Sequence, residues 1–491
     1  MNAEVLQYLF SPSTLLLLAL GTWLGIVVGA IPGLTGAMLI ALSLPLTFAM
    51  DGTDALALLI AMYVGSVSGG LITATLLKMP GTPSSIMTTL DGYPLAASGN
   101  PGRALGLGIC ASGMGGLISW VFLATLAAPV AKFAHHLGPF DFFALIMMAM
   151  ALIALVGRSM LMGLLSGFIG MLFSMPGFSP SSGESRLTFG FAEMNDGFKL
   201  LPVMIGLYAV AEVVVMLRKT DGEIKEITDK PTGMWMSLAD WKKYGVNIFR
   251  SSLLGTWIGV LPGIGANVGS VTAYTLAKKS SKEPEKFGKG SEEGIVASES
   301  ANNATVGGAL IPLLAMGIPG SVVDAILLGG MVIHGLQPGP LLMTSHPDDV
   351  WSLTGAMLIS NIMMIGLMVM SVGWLSKLAK IPKTYLIPAI LVFCVIGSYG
   401  LSNRMFDVWV MLFFCLVGLA MRKLDIPLAP FIIGFVLWPM AEENLGTALM
   451  SHNGSFMPIF KQPIACTLLV LTVAMLAFSF IKQIKKTKNA Q

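Results

Sequence analysis

The sequence predicts an all-α protein that crosses a membrane many times. Only 11% of its 491 residues are charged, whereas a soluble globular protein carries roughly 25%. Hydrophobic residues make up 55% of the chain, and its mean hydropathy is +0.79. A soluble fold could not cover its surface with so few charges. The composition therefore indicates a lipid bilayer as the surroundings, and it excludes a disordered chain, a soluble multidomain enzyme and a nucleic-acid-binding protein.

Apolar stretches between charged residues predict about eleven transmembrane helices. Most of them approach the roughly 20 residues that a helix needs to cross the hydrocarbon. Two of the stretches contain one acid each, Glu212 and Glu299. The stretches are 55–77, 104–131, 142–157, 159–176, 200–217, 294–316, 350–376, 384–403, 408–421, 426–441 and 462–481.

Lysine and arginine predict the orientation of these helices, because cytoplasmic loops carry an excess of both. Basic residues crowd the segments 218–250 and 278–289 and the C-terminal tail, so we expect all three in the cytoplasm. The lysine-poor loops 336–349 and 442–460 are expected outside, as is the N-terminus. No Lys or Arg precedes Lys78, so the first apolar run lacks the basic start of a signal peptide and is expected to be retained.

The segment 251–277 separates two basic segments that are predicted to lie on the same side of the membrane. A single crossing would put one of them outside. Pro262 and Gly263 lie near the middle of the segment, where proline removes a helix hydrogen bond and glycine permits a turn. We therefore predict a re-entrant hairpin of two half-helices, with a single kinked span as the alternative. Irregular backbone at that depth needs cover from protein or from an aqueous cavity.

The chain contains an internal repeat. The segment 21–25 (Gly-Thr-Trp-Leu-Gly), with Pro-Gly at 32–33, recurs within 255–263, and the two Pro-Gly pairs are 230 residues apart. The segment 81–84 (Gly-Thr-Pro-Ser) resembles 317–320 (Gly-Ile-Pro-Gly) at an offset of about 236. Chance similarity between glycine-rich helices explains one match more easily than an ordered series of matches.

The two copies differ in the charges that flank them. The first begins in the lysine-free N-terminus and ends at Arg103, whereas the second begins after a basic segment and ends in a lysine-free loop. An opposite distribution of flanking Lys and Arg residues in the two copies is typical of the inverted-topology repeats of secondary transporters. We predict a first repeat at 1–217, a basic cytoplasmic linker at 218–250, a second repeat at 251–441, and an external loop, final helix and basic tail at 442–491. Re-entrant segments are predicted at 12–50, 79–98, 251–277 and 317–335.

The broken segments predict where a substrate binds. A half-helix that begins inside the membrane presents unpaired N–H groups and the positive end of its dipole, which together bind an anion without a buried Lys or Arg. Small hydroxyl and amide side chains beside freed backbone can bind a carboxylate or coordinate Na⁺. The alternative is that such residues only permit close helix packing, which we favour for Gly21, Gly25, Gly29, Gly255 and Gly259. The predicted substrate-binding residues are Thr35, Gly36, Thr82, Ser84, Ser85, Gly265, Asn267, Asn302, Asn303, Gly320 and Ser321, and the predicted hinge or tip residues are Pro32, Gly33, Pro83, Pro262, Gly263 and Pro319.

Acids within apolar runs are candidates for coupling transport to an ion gradient. Glu299 lies in the most polar stretch of such a run, where it could bind Na⁺, carry a proton, or lie at the cytoplasmic interface. The sequence has no metal-ligand spacing, H-E-x-x-H, Walker A or G-x-S-x-G motif, so we predict no metal site, no cofactor and no enzymatic activity. The predicted coupling residues for Na⁺ or H⁺ are Asp91, Glu299, Asn302 and Asp324.

At these motifs the sequence resembles the large membrane subunit of the tripartite tricarboxylate transporters, the TctA family. The resemblance covers almost the whole chain, and Ser300 and Met316 are mild departures from the expected Ala and Leu. The matching stretches are 25–36, 44–48, 69–85, 90–96, 259–265, 299–304 and 307–320.

The resemblance implies a bacterial inner-membrane permease that works with a small four-helix membrane subunit and a periplasmic solute-binding protein. It implies carboxylate substrates such as citrate, imported by Na⁺ or H⁺ symport with alternating access. Two rival interpretations are an uncoupled channel or pore for small anions and an intramembrane enzyme. The sequence names neither the carboxylate nor the coupling ion.

Overall fold

The structure is a computed structural model that describes residues 2–31, 34–156, 159–218, 231–378, 383–400 and 402–488. Two predicted tip residues, Pro32 and Gly33, lie outside the described residues, as does the part of the predicted linker at 219–230.

Helices form almost all of the regular structure in these residues, which confirms the predicted all-α fold. One two-stranded antiparallel sheet pairs β1 (Gly177–Phe178) with β2 (Ser185–Arg186). Short 3₁₀ turns lie at Pro83–Ser85, Ala192–Met194 and Pro284–Lys286, and a π-helical turn at Ile205–Val210 joins α9 to α10. The α-helices are α1 (Ala3–Leu9), α2 (Pro12–Ala30), α3 (Gly36–Thr47), α4 (Gly52–Leu76), α5 (Ile86–Ala97), α6 (Pro101–Ala134), α7 (Pro139–Val156), α8 (Met160–Ser174), α9 (Leu200–Met204), α10 (Ala211–Arg218), α11 (Leu238–Val260), α12 (Gly265–Ser280), α13 (Glu292–Met316), α14 (Val322–Ile333), α15 (Leu342–Ser345), α16 (Pro347–Leu378), α17 (Lys383–Gly400), α18 (Met405–Lys423), α19 (Leu428–Ser451), α20 (Pro458–Lys461) and α21 (Pro463–Lys488).

Seven helical units in the described residues are long and apolar enough to cross a membrane. They are α2, α4, α6, the unit formed by α9 and α10, α16, α18 and α21. Shorter apolar helices occur in α3, α7, α8, α14 and α17. The chain is therefore a multi-pass membrane protein. All of the described α4 window is buried inside the protein, so α4 is a central helix and not a lipid-facing one.

The helical path is broken at the four places where re-entrant segments are predicted. At the first place α2 ends at Ala30 and α3 begins at Gly36. The other breaks are 77–82 before the turn that leads into α5, 261–264 between α11 and α12, and 317–321 between α13 and α14. At the last of these, Gly317 ends α13 in the left-handed region with φ 72°, and its N–H donates to the carbonyl of Leu313. Glycine reaches this conformation without steric strain, which explains why the helix stops there.

The helices differ from the predicted segments at two places. The external loop was predicted to begin at 442, but α19 extends to Ser451. The segment 218–250 was predicted to be a solvated linker, but α11 already begins at Leu238. The reason is a capping box: the Ser237 side chain accepts from the Asp240 N–H at 3.2 Å, and the Asp240 carboxylate accepts from the Ser237 N–H at 2.8 Å. This reciprocal pairing satisfies two N–H groups of the first helical turn. The first arm of the α11–α12 hairpin is therefore longer than the predicted segment 251–277.

Glycines bring the paired helices of each half into backbone contact. α2 packs along α4, and α11 packs along α13. A Cβ atom on Gly25 would lie 2.4 Å from the carbonyl oxygen of Met62, and one on Gly255 would lie 2.3 Å from that of Ala301. These contacts confirm the packing role predicted for both glycines, and they pair Gly25 with Gly255. The sequence match that paired Gly21 with Gly255 was therefore displaced by one helical turn.

The second pair of motifs also takes a different register from the predicted one. A Cβ atom on Gly81 would lie 2.2 Å from the carbonyl oxygen of Gly29, and one on Gly320 would lie 2.7 Å from that of Gly259. Gly81 thus corresponds to Gly320, at an offset of 239 and not 236. Equivalent helices also make equivalent contacts, since α6 packs on α13 as α16 packs on α4. The correspondence supports an internal repeat, while its inversion and the domain boundaries stay predictions.

Replacing Gly25 by valine is expected to prevent α2 and α4 from packing, because the new side chain would meet the Met62 carbonyl, which cannot turn aside as a flexible side chain can. Overpacking of this kind costs about 1–3 kcal/mol or more. We expect a lower thermal midpoint and loss of the monodisperse peak in detergent. Gly366→Ala in α16 is the matched control, since it meets no atom within 4 Å and should fold normally. A Gly25→Val protein as stable as the wild type would contradict the packing.

Loops that are predicted to lie on one side of the membrane are joined by polar contacts. Arg186 of β2 pairs with Glu442 of α19 at 2.5 Å. Asp196 pairs with Arg404, which precedes α18, at 3.2 Å, so these parts of α18 and α19 share one end of the protein with the segment 177–199. Of these, the segment 442–460 was expected outside. Which end faces the cytoplasm stays a prediction.

Arg103 holds three helix ends together at the opposite, predicted cytoplasmic end. Its guanidinium donates two hydrogen bonds to Asp240 on α11, at 2.7 and 2.6 Å, and two to Glu292 on α13, at 2.7 and 3.2 Å. The bonds from Arg103 are the main cause that lowers the pKa of Asp240 well below its ordinary value. Burial would raise the pKa of Glu292, but hydrogen bonds from Arg103 and Tyr244 outweigh it, and that pKa is lowered too.

Arg103→Ala is expected to lower the thermal midpoint at pH 7, because each partly buried acceptor left unpaired costs about 1–3 kcal/mol. A lowered pKa in the folded state adds stability above the unfolded value near 3.9, and this stability is lost as the pH falls toward the folded value. The difference in thermal midpoint between the wild type and the variant should therefore become smaller below about pH 4. Lys286→Ala, which breaks an exposed pair with Glu283, is the control and should change little. A gap that stays constant with pH would contradict this account.

Candidate functional site

The break at 77–82 leads into a cluster of hydroxyl groups that we call the first tip, Thr82 to Ser85. The N–H of Thr82 donates to Ser85 Oγ at 3.3 Å, and the Ser85 hydroxyl donates to the Thr82 carbonyl at 2.8 Å. Thr82 Oγ1 and Ser84 Oγ lie 3.0 Å apart. All three side chains are buried. Three predicted substrate-binding residues are thus brought together where α5 begins, next to its positive dipole end.

The first tip packs tightly against α4 and leaves one hydroxyl of that helix without a partner. A Cβ atom on Gly70 would lie 2.6 Å from Thr82 Oγ1, so the first tip can pack this closely against α4 only because residue 70 is glycine. Thr73 is fully buried, and its hydroxyl has no hydrogen-bond partner within the described residues. This hydroxyl lies 2.7 Å from where a Cβ atom on Gly81 would be. α4 therefore places a buried hydroxyl without a partner beside the first tip.

The equivalent break in the second half leads into the second tip, Ser321 to Asp324. Ser321 Oγ accepts from the Asp324 N–H at 3.3 Å and donates to Asp324 Oδ2 at 2.6 Å. The Tyr63 hydroxyl from α4 lies 3.2 Å from Ser321 Oγ and 3.5 Å from Asp324 Oδ2. Asp324 is fully buried, and its Oδ1 has no partner in the part of the chain that the structure describes. The side chains that bond to its carboxylate are hydroxyls, and no Lys, Arg or His of the described residues forms an ion pair with it.

When the two halves are aligned at the offset of 239, the two tips have similar hydrogen-bond geometry but different side chains. Thr82 corresponds to Ser321, and Ser85 corresponds to Asp324. In each tip the third residue after the cap bonds back to the capping residue. Ser85 is neutral, so the start of α5 keeps its positive field. Asp324 is an acid, so the start of α14 carries its own counter-charge and repels anions.

The predicted residues Asn302 and Asn303 lie where α13 crosses α4, between the tips along the chain. Ser68 donates to Asn303 Oδ1 at 2.6 Å, and Asn302 Nδ2 donates to the carbonyl of Val67 at 3.3 Å. Both asparagines are buried. Asn302 Oδ1 has no partner among the described residues, which leaves one oxygen free for a cation or a donor.

Glu299 lies fully buried between α5, α6 and α13, not exposed at an interface. Thr88 donates to its Oε1, and Ser112 donates to its Oε2 at 3.0 Å. No Lys, Arg or His in the described residues pairs with it. A buried carboxylate without a cationic partner is costly unless it is protonated or binds a cation. The arrangement keeps Glu299 as a candidate for ion coupling.

Asp91, another predicted coupling residue, is fully engaged by the protein. Its Oδ1 accepts from the N–H groups of Gly288, Gly290 and Ser291 at 2.8, 2.9 and 2.8 Å. Its Oδ2 accepts from the Tyr274 hydroxyl at 2.8 Å. This network favours a structural role for Asp91, which anchors α5 to the loop before α13.

The other predicted residues occupy the two remaining breaks. Thr35 caps α3 by accepting from the Met38 N–H at 3.2 Å, and a Cβ atom on Gly36 would lie 2.2 Å from Ser66 Oγ. Gly265 begins α12 at φ 67°, and Asn267 is exposed. α12 also contacts the turn Pro83–Ser85, so a helix of the second half lies against the first tip. Pro83 is the first residue of that turn. Between α11 and α12, Pro262 precedes Gly263, whose backbone is left-handed with φ 72°. Pro319 and Gly320, which come just before the second tip, are buried.

Sequence reasoning missed several residues that complete these sites, namely Tyr63, Ser68, Thr73 and Ser112. A signal was available, since hydroxyl residues recur along the otherwise apolar α4. No group of three or more His, Cys, Asp and Glu side chains in the described ranges could hold a metal ion.

The sequence is similar to those of known proteins. The chain is 34% identical over 471 residues to an "uncharacterized 52.8 kDa protein in TAR-I ttuC' 3'region" of Agrobacterium vitis, covering 96% of this chain and 93% of that one. It is 35% identical over 235 residues to an "uncharacterized protein in TAR-II ttuC' 3'region" of the same organism, covering 48% of this chain and 97% of that one. No solved structure matches. Residues 15–433 match the family described as "Tripartite tricarboxylate transporter TctA family". The chain therefore belongs to the tripartite tricarboxylate transporter TctA family, a family of membrane transporter components.

Proposed function

We propose that this chain is the permease subunit of a binding-protein-dependent secondary transporter that imports a carboxylate, either a tricarboxylate such as citrate or a related organic anion. The observation that carries the proposal is the contrast between the two tips, which share one geometry but differ in charge. A symporter needs one site for an anion and one for a cation, and the tips supply one of each.

The first tip suits the carboxylate. Its hydroxyls and the N–H groups at the start of α5 are donors, and no acid of the described residues forms a hydrogen bond with Thr82, Ser84 or Ser85. The unpartnered hydroxyl of Thr73 adds a further donor. Donors at a helix N-terminus bind carboxylates and phosphates through hydrogen bonds and the helix dipole.

The second tip suits the coupling ion. Asp324 offers a buried carboxylate oxygen without a partner, and the hydroxyls of Ser321 and Tyr63 lie beside it. Oxygen ligands of this kind bind Na⁺, and a buried carboxylate without a counter-ion readily carries a proton. Glu299, with Thr88 and Ser112, is a second candidate for this role.

The proposed assembly places this subunit in the bacterial inner membrane, with the N-terminus in the periplasm and the C-terminus in the cytoplasm. A periplasmic solute-binding protein delivers the carboxylate, and a small four-helix membrane subunit completes the complex. Alternating access arises when the repeat-derived hairpins move the site from one side to the other.

Uptake into proteoliposomes tests the proposal. The chain is purified with its partner subunits, and labelled citrate and a panel of dicarboxylates are offered with and without an inward Na⁺ or proton gradient. We expect saturable uptake that requires one gradient and the binding protein. Flux that does not saturate and ignores both gradients would indicate an uncoupled pore. A folded, correctly oriented complex that takes up no carboxylate would contradict the proposal.

A further inference from the structure

A cavity of about 500 Å³ lies between four apolar helices, α3, α9, α14 and α19. Met204 of α9 and Phe435 of α19 line its inner part, and both are buried. Val332 and Ile333 near the end of α14 also line it and are 52% and 39% exposed, so the cavity opens there onto the surface of the protein. No residue of the first or second tip lines the cavity, so it is separate from the sites proposed for the carboxylate and the coupling ion.

The lining of the cavity is apolar. Among the described residues that form it, only Lys199 and Ser402 have polar side chains. A buried water needs about two to four hydrogen-bonding partners, which most of this lining does not offer. The volume lies within the range of roughly 300–1,000 Å³ that small-molecule sites have, and close-packed proteins rarely leave such a space empty. The cavity therefore suits an apolar occupant.

The membrane supplies such an occupant. Met204 lies in the unit of α9 and α10, which is long and apolar enough to cross a bilayer. The lining residues of α14 extend from Ile326 to Ile333, a distance of about 10 Å along the helix axis, so the cavity runs along the helix. Because the hydrocarbon around these helices consists of acyl chains, a cavity of this shape that opens onto it is filled by an acyl chain.

A positive charge lies near the open end of the cavity. Lys199 lines the cavity directly before the α9–α10 unit begins, and a Cβ atom on Gly329 of α14 would lie 2.8 Å from the neighbouring Leu200 side chain. The Lys199 ammonium lies 3.8 Å from Asp196, whose carboxylate also binds Arg404 at 3.2 Å. Lys199 thus shares its acid with an arginine, and its charge is only partly compensated. A lysine at the end of a membrane helix reaches the headgroup layer and attracts anionic lipids.

We propose that this cavity binds one acyl chain of a membrane phospholipid, with the headgroup phosphate beside Lys199. The bound chain lies between α14 on one side and α9 and α19 on the other. Since α14 begins at the second tip, the lipid fills the space behind the helix that carries Asp324. The site needs no transported substrate, so it stands or falls independently of the proposed function.

Photolabelling tests the proposal. The full-length chain is reconstituted into liposomes that contain a phosphatidylglycerol with a diazirine group in one acyl chain, and mass spectrometry of peptides identifies the labelled residues. We expect labelling of Met204 and Phe435, which are buried and which a lipid reaches only when its chain enters the cavity. A wild-type protein in which neither residue is labelled would overturn the proposal.

Val332→Trp is expected to exclude the acyl chain, because it places a large side chain at the opening. Position 332 is exposed, so the fold is not threatened. Labelling of Met204 and Phe435 should fall at least about tenfold, which corresponds to loss of most of the binding. Val473→Trp on α21 is the matched control, since Val473 is 65% exposed and does not line the cavity. Equal labelling of the Val332→Trp protein and the wild type would contradict binding in the cavity.

Lys199→Gln tests the position of the headgroup. We expect labelling to fall about fivefold, the effect of one basic residue near an anionic lipid surface. Lys461→Gln, which changes an exposed lysine that does not line the cavity, is the control and should label like the wild type. Unchanged labelling of the Lys199→Gln protein would overturn the headgroup assignment.

Discussion

Replacing Asp324 by asparagine is expected to abolish gradient-driven accumulation of the substrate in a protein that still folds. Asparagine is a good helix N-terminal residue and can keep hydrogen bonds to Ser321 and Tyr63, but it carries neither a negative charge nor a transferable proton. In proteoliposomes, labelled carboxylate should reach no more than its external concentration, whereas the wild type should exceed it at least about tenfold under an inward gradient worth about 1.4 kcal/mol. Exchange of internal for external substrate should persist.

Glu299, the other buried acid proposed for ion coupling, provides the comparison for the Asp324→Asn experiment. Glu299→Gln removes the other candidate charge, and Thr88 and Ser112 can still bond to the amide. If Glu299→Gln abolishes accumulation and Asp324→Asn does not, the coupling site lies between α5, α6 and α13 and not at the second tip. Asp196→Asn, which changes an exposed acid, controls for altered surface charge.

Introducing an acid at the first tip is expected to eliminate carboxylate binding. Ser85→Asp gives the first tip the residue that the second tip has at the equivalent position, Asp324. The aspartate would use the donors at the start of α5 as its own partners and repel an incoming carboxylate, so affinity should fall at least about a hundredfold, or 2.7 kcal/mol. Equilibrium binding of labelled citrate to the purified complex measures the change.

Controls distinguish repulsion from misfolding. Ser85 is fully buried beside Gly70, so the longer side chain is checked by thermal midpoint and by chromatography. Ser84→Asp places the charge one residue earlier and should have the same effect, while Ser85→Ala should weaken binding only moderately. A folded Ser85→Asp or Ser84→Asp protein that binds citrate like the wild type would show that the anion does not bind at the first tip.

The breaks in the helices were predictable because their causes are local. Proline and glycine act on the backbone at their own positions, so the helix breaks could be predicted from residues such as Pro262 and Gly317 alone. The start of α11 was missed although its capping box at Ser237 and Asp240 is visible in the sequence, because the charge of the surrounding segment dominated the interpretation.

The register of the repeat could not be predicted, because tertiary contacts define it. Gly81 and Gly320 correspond since each approaches a backbone carbonyl of the neighbouring helix, yet their sequence neighbours differ. The same holds for the site. Tyr63 contacts Asp324 although the two residues are 261 positions apart in the sequence, and no local sequence pattern predicts such a contact. The charge contrast between the tips appeared only after the structural register paired Ser85 with Asp324.

The most direct test of the central claim is the dependence of carboxylate affinity on the coupling cation. If the anion binds at the first tip and the cation at the second, and both drive one conformational change, each must strengthen binding of the other by the same factor. The dissociation constant of labelled citrate is measured on the purified complex across a series of Na⁺ concentrations and, separately, of pH values. We predict that affinity rises at least about tenfold with one of the two cations and that this rise is absent in Asp324→Asn. An affinity that is independent of both cations in the wild type, or a rise that persists in Asp324→Asn, would contradict the account.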